Sequence, residues 1–169
     1  FATEDSVPPV LIIKTVLFMT TTTLFLPARL LLHDPLPISY NLPKKLEQVN
    51  LTNAVTIENY AFYLCDGITN IIIPSSVTSI GVNPFIIRSL SSIVVDEANE
   101  VYDSRGGCNA IIEKATNTLI AGCENTVVPN TVTCIGEESF FLCSGLTNIT
   151  IPSSVTIIRE GAFGGCTNL

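Results

Sequence analysis

The sequence predicts a mainly β solenoid, and three observations carry that reading. An apolar pattern recurs with a period of about 22–23 residues, a length that marks stacked repeats. Each clear copy closes a short stretch of period-two alternation with proline, and the composition suits burial, with 47% hydrophobic and only 14% charged residues in 169. The same composition lies far from that of disordered chains. A formal net charge of −7 leaves no basic face for phosphate, so nucleic acid is not an expected partner.

Taken in order, the copies begin with Leu46-x-x-Val49-x-Leu51, which Ile68-x-x-Ile71-x-Ile73 repeats one period later. The fullest early block runs Phe62-x-x-Cys65-x-x-Ile68-x-x-Ile71-x-Ile73-Pro74-Ser75-Ser76-Val77-x-x-Ile80. Phe85 follows Phe62 by one period, but Arg88 stands in the Cys slot, where it should turn outward, and Leu90 arrives one residue early before Ile93 and Val95. Leu90 and Leu146 are then more than two periods apart, so an insertion is placed at about Asp96 to Thr131 rather than another copy. Beyond it Val132, Ile135, Phe140, Cys143 and Leu146 return one period later as Val155, Ile158, Phe163, Cys166 and Leu169. The expected organisation is an N-terminal segment 1–41 and a repeat domain 42–169. Its repeats are 46–67, 68–89, 90–95 with the insertion 96–131, 132–154, and a truncated 155–169.

Each part of the unit has a physical reading. Alternation of period two marks a short half-buried strand, and Pro74 or Pro152 ends it because proline cannot donate to a ladder. Strands recurring once per turn should stack as a parallel sheet. The stretch Gly136–Cys143 reads as a single helical turn, with Glu137 and Glu138 near its positive end and Phe140 and Cys143 on one face. One unit buries too little apolar surface to offset its backbone ordering entropy, so units must stack.

The spacing Leu-x-x-Ile-x-Ile-Pro-x-Ser-Val-x-x-Ile-x-x-x-x-Phe-x-x-Cys-x-x-Leu resembles the BspA-like leucine-rich repeats of bacterial and some protozoal surface proteins. The likeness runs from about Leu46 to Leu169, and the stretch Val101–Glu113 with Leu119–Cys123 is similar to segments that interrupt such repeats. The resemblance implies a right-handed solenoid with a concave parallel sheet, short helical turns and loops on its convex side, and a binding role at the cell surface or after secretion. Arg88 and the shortened turn 85–90 depart from the pattern.

Residues 9–32 are apolar, but Lys14, Pro27 and Arg29 interrupt them, and the run Thr15–Pro27 is too short to span a bilayer. Three readings stand: a membrane segment, a signal peptide with Val16–Leu26 as its apolar stretch, and a translated sequencing adapter over about 16–39, which Leu31–Ser39 resembles. The last carries most weight, and on it neither that stretch nor His33 has a function. Phe1 is not a natural start, and Leu169 falls where a strand should begin. Phe163, Cys166 and Leu169 would then be exposed and prone to self-association.

Chemistry-bearing residues are few. Cys65, Cys143 and Cys166 share one repeat slot and should be buried as small hydrophobes. A hairpin around Lys114–Asn117 would set Cys108 opposite Cys123, where a cross-strand disulfide could form in an oxidising compartment. Asp96, Glu97, Glu100 and Asp103 lack the spacing of a calcium loop, and no Cys or His pair suits zinc. No catalytic residue, metal or cofactor is expected, and hence no enzyme, because a Cys or Ser nucleophile would need a positioned base and the lone His33 falls in the adapter-like segment. Two sequons, Asn50-Leu51-Thr52 and Asn148-Ile149-Thr150, fall within expected strands, where glycosylation is not anticipated.

The expected functional surface is the concave sheet face, lined by Gln48, Asn50, Asn70, Ile72, Ser92, Val94, Asn148 and Thr150. Amides, hydroxyls and uncovered aliphatics suit a protein partner, such as a host or matrix protein, or a glycan. A non-catalytic binding or adhesion module is the leading reading, with the folded domain making no membrane contact. The alternative is a spacer or stalk with no ligand of its own.

Overall fold

The computed structural model describes residues 49–169 in full, together with the backbone of Gln48 and of Thr23–Phe25. The expectations for residues 1–22 and 26–47, His33 among them, lie outside the described residues. The chain is mainly β with almost no helix: β1 (Thr23–Phe25), β2 (Gln48–Asn50), β3 (Thr56–Ile57), β4 (Asn70–Ile73), β5 (Ser79–Ile80), β6 (Ser92–Val95), β7 (Tyr102–Asp103), β8 (Ala110–Glu113), β9 (Thr118–Gly122), β10 (Cys134–Ile135) and β11 (Ile157–Ile158). Among the described residues a 3-10 turn at Arg105–Gly107 joins β7 to β8.

The sheets are small and their register carries the repeat. β4 pairs with β6 in parallel, Asn70 beside Ser92 and Ile73 beside Val95, while β3 pairs with β5 so that Ile57 faces Ile80. β1 lies parallel to β2, with Leu24 beside Val49. A five-stranded sheet runs β11-β10-β9-β8-β7, parallel across β9, β10 and β11 and antiparallel within the hairpin β7-β8-β9. Along β4 burial alternates, with Ile71 and Ile73 inside and Asn70 and Ile72 outside, as a half-buried strand requires.

Between strands the chain forms an arch, and here the structure differs from the expected helical turn. Tyr60 and Leu64 flank Phe62 with φ of 56° and 56°, and Glu138 and Leu142 flank Phe140 with φ of 51° and 58°. A right-handed helix cannot contain such residues, and each costs roughly 1–2 kcal/mol when it is not glycine. What offsets that cost is a bond to the next repeat. The N–H groups of Tyr60, Phe62 and Leu64 donate to the carbonyls of Val82, Pro84 and Ile86, and those of Glu138, Phe140 and Leu142 donate to Glu160, Ala162 and Gly164. In the last arch Gly161 and Gly165 hold the two left-handed positions without strain. The phenylalanines stack along the same direction, Phe62 on Phe85 at 5.5 Å and Phe140 on Phe163 at 5.2 Å. That stacking leaves Phe163 and Cys166 half-buried, and of the three residues expected to be exposed Leu169 alone is.

Arg88 does turn outward, its backbone N–H held by Asp66 at 3.0 Å and its guanidinium 3.8 Å from the same carboxylate. The slot it was assigned is filled instead by Ile87, which is buried and whose carbonyl accepts the Leu90 N–H as Cys65 accepts that of Ile68. The early Leu90 has this cause: the arch is one residue shorter, and no left-handed residue follows Phe85 before Ile87.

The stretch expected to be an insertion contains both a repeat and a hairpin. Asn99 stands one period after Val77, is buried, and donates to the carbonyls of Pro74 and Val77, while the Tyr102 hydroxyl takes the N–H of Ile80. Cys123, Thr126, Val128, Pro129 and Val132 then repeat the spacing of Ile68, Ile71, Ile73, Pro74 and Val77. Cys123 stands one ordinary period before Leu146 and one enlarged period after Leu90, so the long interval is two repeats, the first of them lengthened. The hairpin β7-β8-β9 replaces an arch.

This hairpin divides the core. Period-two alternation sends Ile111 into the cluster around Phe62, Ile71 and Ile93, and Ala110 and Ile112 into the cluster around Phe140, Ile135 and Leu146. A bulge between Ile111 and Ile112 shifts the register: Ile112 faces Leu119, but Ala110 faces Gly122. The shift corrects the expected cysteine pairing, because Cys108 no longer opposes Cys123. Both are free and buried, Cys108 in the second cluster and Cys123 in the first. Where a phenylalanine is missing from the stack, Phe140 packs against Gly122, and a methyl added there would lie 2.1 Å from its ring. Gly122→Ala is therefore expected to lower stability by about 1–3 kcal/mol through overpacking. Ser139→Ala, which removes a buried hydroxyl with no protein partner, should hold or raise it, both read as urea midpoints of the full chain.

Candidate functional site

The exposed strand face is built by alternation. Each buried Ile or Val that anchors a repeat turns its neighbour outward, and the repeat period aligns those neighbours in columns. Ile72 and Val94 lie side by side in the β4–β6 register and are 65% and 46% exposed, far above the level of their buried flanking residues. Beside them Asn70 is exposed and Ser92 half-buried. Asn50 is half-buried, its carboxamide oxygen accepting the N–H of Thr52 at 2.9 Å, and the side chain of Gln48 lies outside the described residues.

Asn148 and Thr150 are exposed as expected, but they do not lie in a strand. The cause lies one repeat earlier. The segment that would pair with them turns to the hairpin: the Val127 N–H donates to Cys108, and the buried Thr126 hydroxyl donates to Asn109 at 2.7 Å while accepting the Cys123 N–H. The structure thus splits the eight expected residues, placing Gln48 and Asn50 on β2, Asn70, Ile72, Ser92 and Val94 on the β4–β6 ladder, and Asn148 and Thr150 outside any strand, beyond the hairpin. It also adds a residue that the repeat pattern alone did not single out. Val127 holds the repeat position of Ile72 and Val94 and is 70% exposed. The signal for it is present in Pro129-x-x-Val132, spaced as Pro74-x-x-Val77 and Pro152-x-x-Val155.

Other chemistry-bearing side chains are occupied or dispersed. Asp103 is held by the Arg105 guanidinium at 2.8 Å, and Asp96 accepts the Ala98 N–H, while Glu97 and Glu100 face solvent. Among the described residues no cluster of three Cys, His, Asp or Glu could hold a metal ion. Burial, with a smaller push from Asp66, raises the Cys65 thiol to about 11, and burial, with smaller pushes from Cys166 and Cys123, raises that of Cys143 to about 12. Burial also raises Cys108, Cys123 and Cys166, opposed in part by the hydrogen bonds they receive. Among the described residues no helix is long and apolar enough to cross a membrane.

A family model described as BspA type Leucine rich repeat region matches residues 39–106 and 111–169 in six copies. Among solved structures, a leucine rich cell surface protein from Faecalibacterium prausnitzii is similar at 32% identity and a TM-score of 0.59, over 73% of this chain and 34% of its own. A leucine-rich repeat protein from Eubacterium ventriosum is similar at 28% identity and a TM-score of 0.57, over 67% of this chain and 31% of its own. The pneumococcal vaccine antigen PcpA shares the fold at 23% identity and a TM-score of 0.62, over 72% of this chain and 32% of its own. The chain thus spans about a third of each of these proteins. No curated protein matches it.

The raised thiols set a pH dependence. Below the ordinary value of 9.0 the folded and unfolded chains both keep the Cys65 and Cys143 protons, and the stability they contribute is whole. Above it the unfolded thiols ionise first, so stability should fall as pH rises toward about 11 and about 12. Cys65→Ala/Cys143→Ala should flatten that loss in urea titrations across alkaline pH.

Proposed function

The chain belongs to the BspA-type leucine-rich-repeat family, and from that premise we propose that it is a non-catalytic binding module of a secreted or cell-surface protein. The repeats form a solenoid whose concave face carries the strand columns, and that face holds a protein or glycan partner. The observation behind this reading is the run of uncovered aliphatics Ile72, Val94 and Val127, each flanked by buried residues and each at the same repeat position. Isolated surface aliphatics need no explanation, but a file of them bordered by the amides and hydroxyls of Asn70, Ser92 and Asn125 has the composition of a contact surface. The acidic net charge offers nothing to a nucleic acid.

Localisation at the surface is supported by the family and by the cell-surface character of the Faecalibacterium relative.

The test is surface plasmon resonance of the full chain against a panel of extracellular-matrix proteins, alongside Ile72→Glu and Val127→Glu. Binding should weaken by about tenfold or more in each variant while the thermal midpoint stays within the scatter of the parent, since both side chains already face solvent. A partner whose affinity ignores both changes overturns the strand face as the contact surface, and a chain that engages no member of the panel favours a spacer.

A further inference from the structure

Where the hairpin replaces an arch, a cleft lies beside Ile80. Elsewhere the carbonyl of a strand residue is capped by the N–H that follows its partner in the next repeat. Ile57 accepts the Gly81 N–H, Leu119 that of Gly136, and Ile135 that of Arg159. Ile80 has no such bond among the described residues, and its own N–H goes to the Tyr102 hydroxyl. The resulting space of about 380 Å³ lies between Ile80 on one wall, Ile120 and Glu113 of the hairpin, and Glu137 with Arg159 beyond it. Glu138 bridges the same gap, accepting from the Tyr60 hydroxyl at 3.2 Å and the Asn83 amide at 3.5 Å.

The polar groups on its walls are held in place. Asn59 accepts the Val82 N–H through its carboxamide oxygen at 2.8 Å, and among the described residues its amide nitrogen makes no hydrogen bond, so both of its hydrogens face a ligand. Glu113 accepts the Thr116 hydroxyl, whose oxygen is 2.9 Å from that of Thr118. Glu137 and Arg159 form no ion pair among the described residues. Two carboxylates disfavour an anion, and the guanidinium disfavours a lone cation. A neutral polyol uses acceptors and donors together, because every hydroxyl both gives and takes a hydrogen bond, while Ile80 and Ile120 provide apolar surface for a ring face. The volume lies at the small end of ligand pockets and suits a mono- or disaccharide.

We infer that this cleft is a second binding site, separate from the exposed strand face, and that it takes a neutral saccharide through Asn59, Glu113, Glu137 and Arg159. The test is saturation-transfer NMR of the full chain with maltose, lactose, cellobiose and diacetylchitobiose, and with acetyl-lysine amide as a cationic control. At least one disaccharide should receive transfer. Its affinity should fall about tenfold in Glu137→Gln and in Arg159→Ala, both exposed side chains whose loss spares the core, and should be abolished when Ile120→Trp fills the cleft. Ile72→Glu should leave it unchanged, which separates this site from the strand face. The inference is overturned if no disaccharide receives transfer from a chain with native circular dichroism. It is equally overturned if binding survives all three cleft variants, or if the cationic control binds in preference.

Discussion

Everything in this molecule hangs on a backbone bond that runs from one repeat to the next through the arches rather than through the strands. The strands are two to four residues long over most of the described chain, too short to hold successive repeats in register alone. The arches supply the remainder. At Tyr60, Phe62 and Leu64, and again at Glu138, Phe140 and Leu142, alternate N–H groups face the following repeat because left-handed residues stand on either side of the phenylalanine. The phenylalanine rings then superpose, and the apolar interior continues from one repeat to its neighbour. A repeat that cannot present carbonyls to this ladder must be compensated by side chains, as Asn99 and Tyr102 do where the hairpin begins.

Exchanging an arch for a hairpin changes the interior and the surface together. The first long strand of the hairpin is buried on both faces and divides the interior into two clusters, and its bulge decides which cluster each side chain enters. The same shift keeps Cys108 and Cys123 apart. It draws the backbone of Val127 toward Cys108, so the outer ladder of β4 and β6 does not continue to the segment holding Asn148 and Thr150. Yet Val127 keeps its outward direction, because that depends on alternation within its own repeat and not on the partner strand.

Much of this is legible in the sequence, for identifiable reasons. The period, the buried slots of Ile71, Ile73, Val77 and Phe62, and the outward Ile72 and Val94 all come from apolar spacing, which acts along the chain and survives substitution. Charge places Arg88 outside, but nothing places Ile87 inside, since losing one residue from an arch is invisible until the Leu90 bond is seen. The arch itself reads as helical because Phe140 and Cys143 are three apart in either geometry. Left-handed Glu138 and Leu142 carry no residue signature of the kind that Gly161 and Gly165 provide in the last copy. The copy at Cys123–Val132 is hidden because Cys and Thr replace Leu and Ile where the neighbour is a polar hairpin edge. The bulge, set by packing on both sides of β8, has no mark in the sequence at all.

Residue-resolved hydrogen exchange of the full chain tests the arch ladder most directly. The amides of Phe62, Leu64, Phe140 and Leu142 should exchange as slowly as those of Gly81 and Gly136, which bond in the strand ladders, because each is capped by the next repeat. If these four exchange as fast as the amides of Glu97 and Asn130, which donate no backbone hydrogen bond among the described residues, the arches do not join the repeats, and the bond on which the whole stack depends is absent.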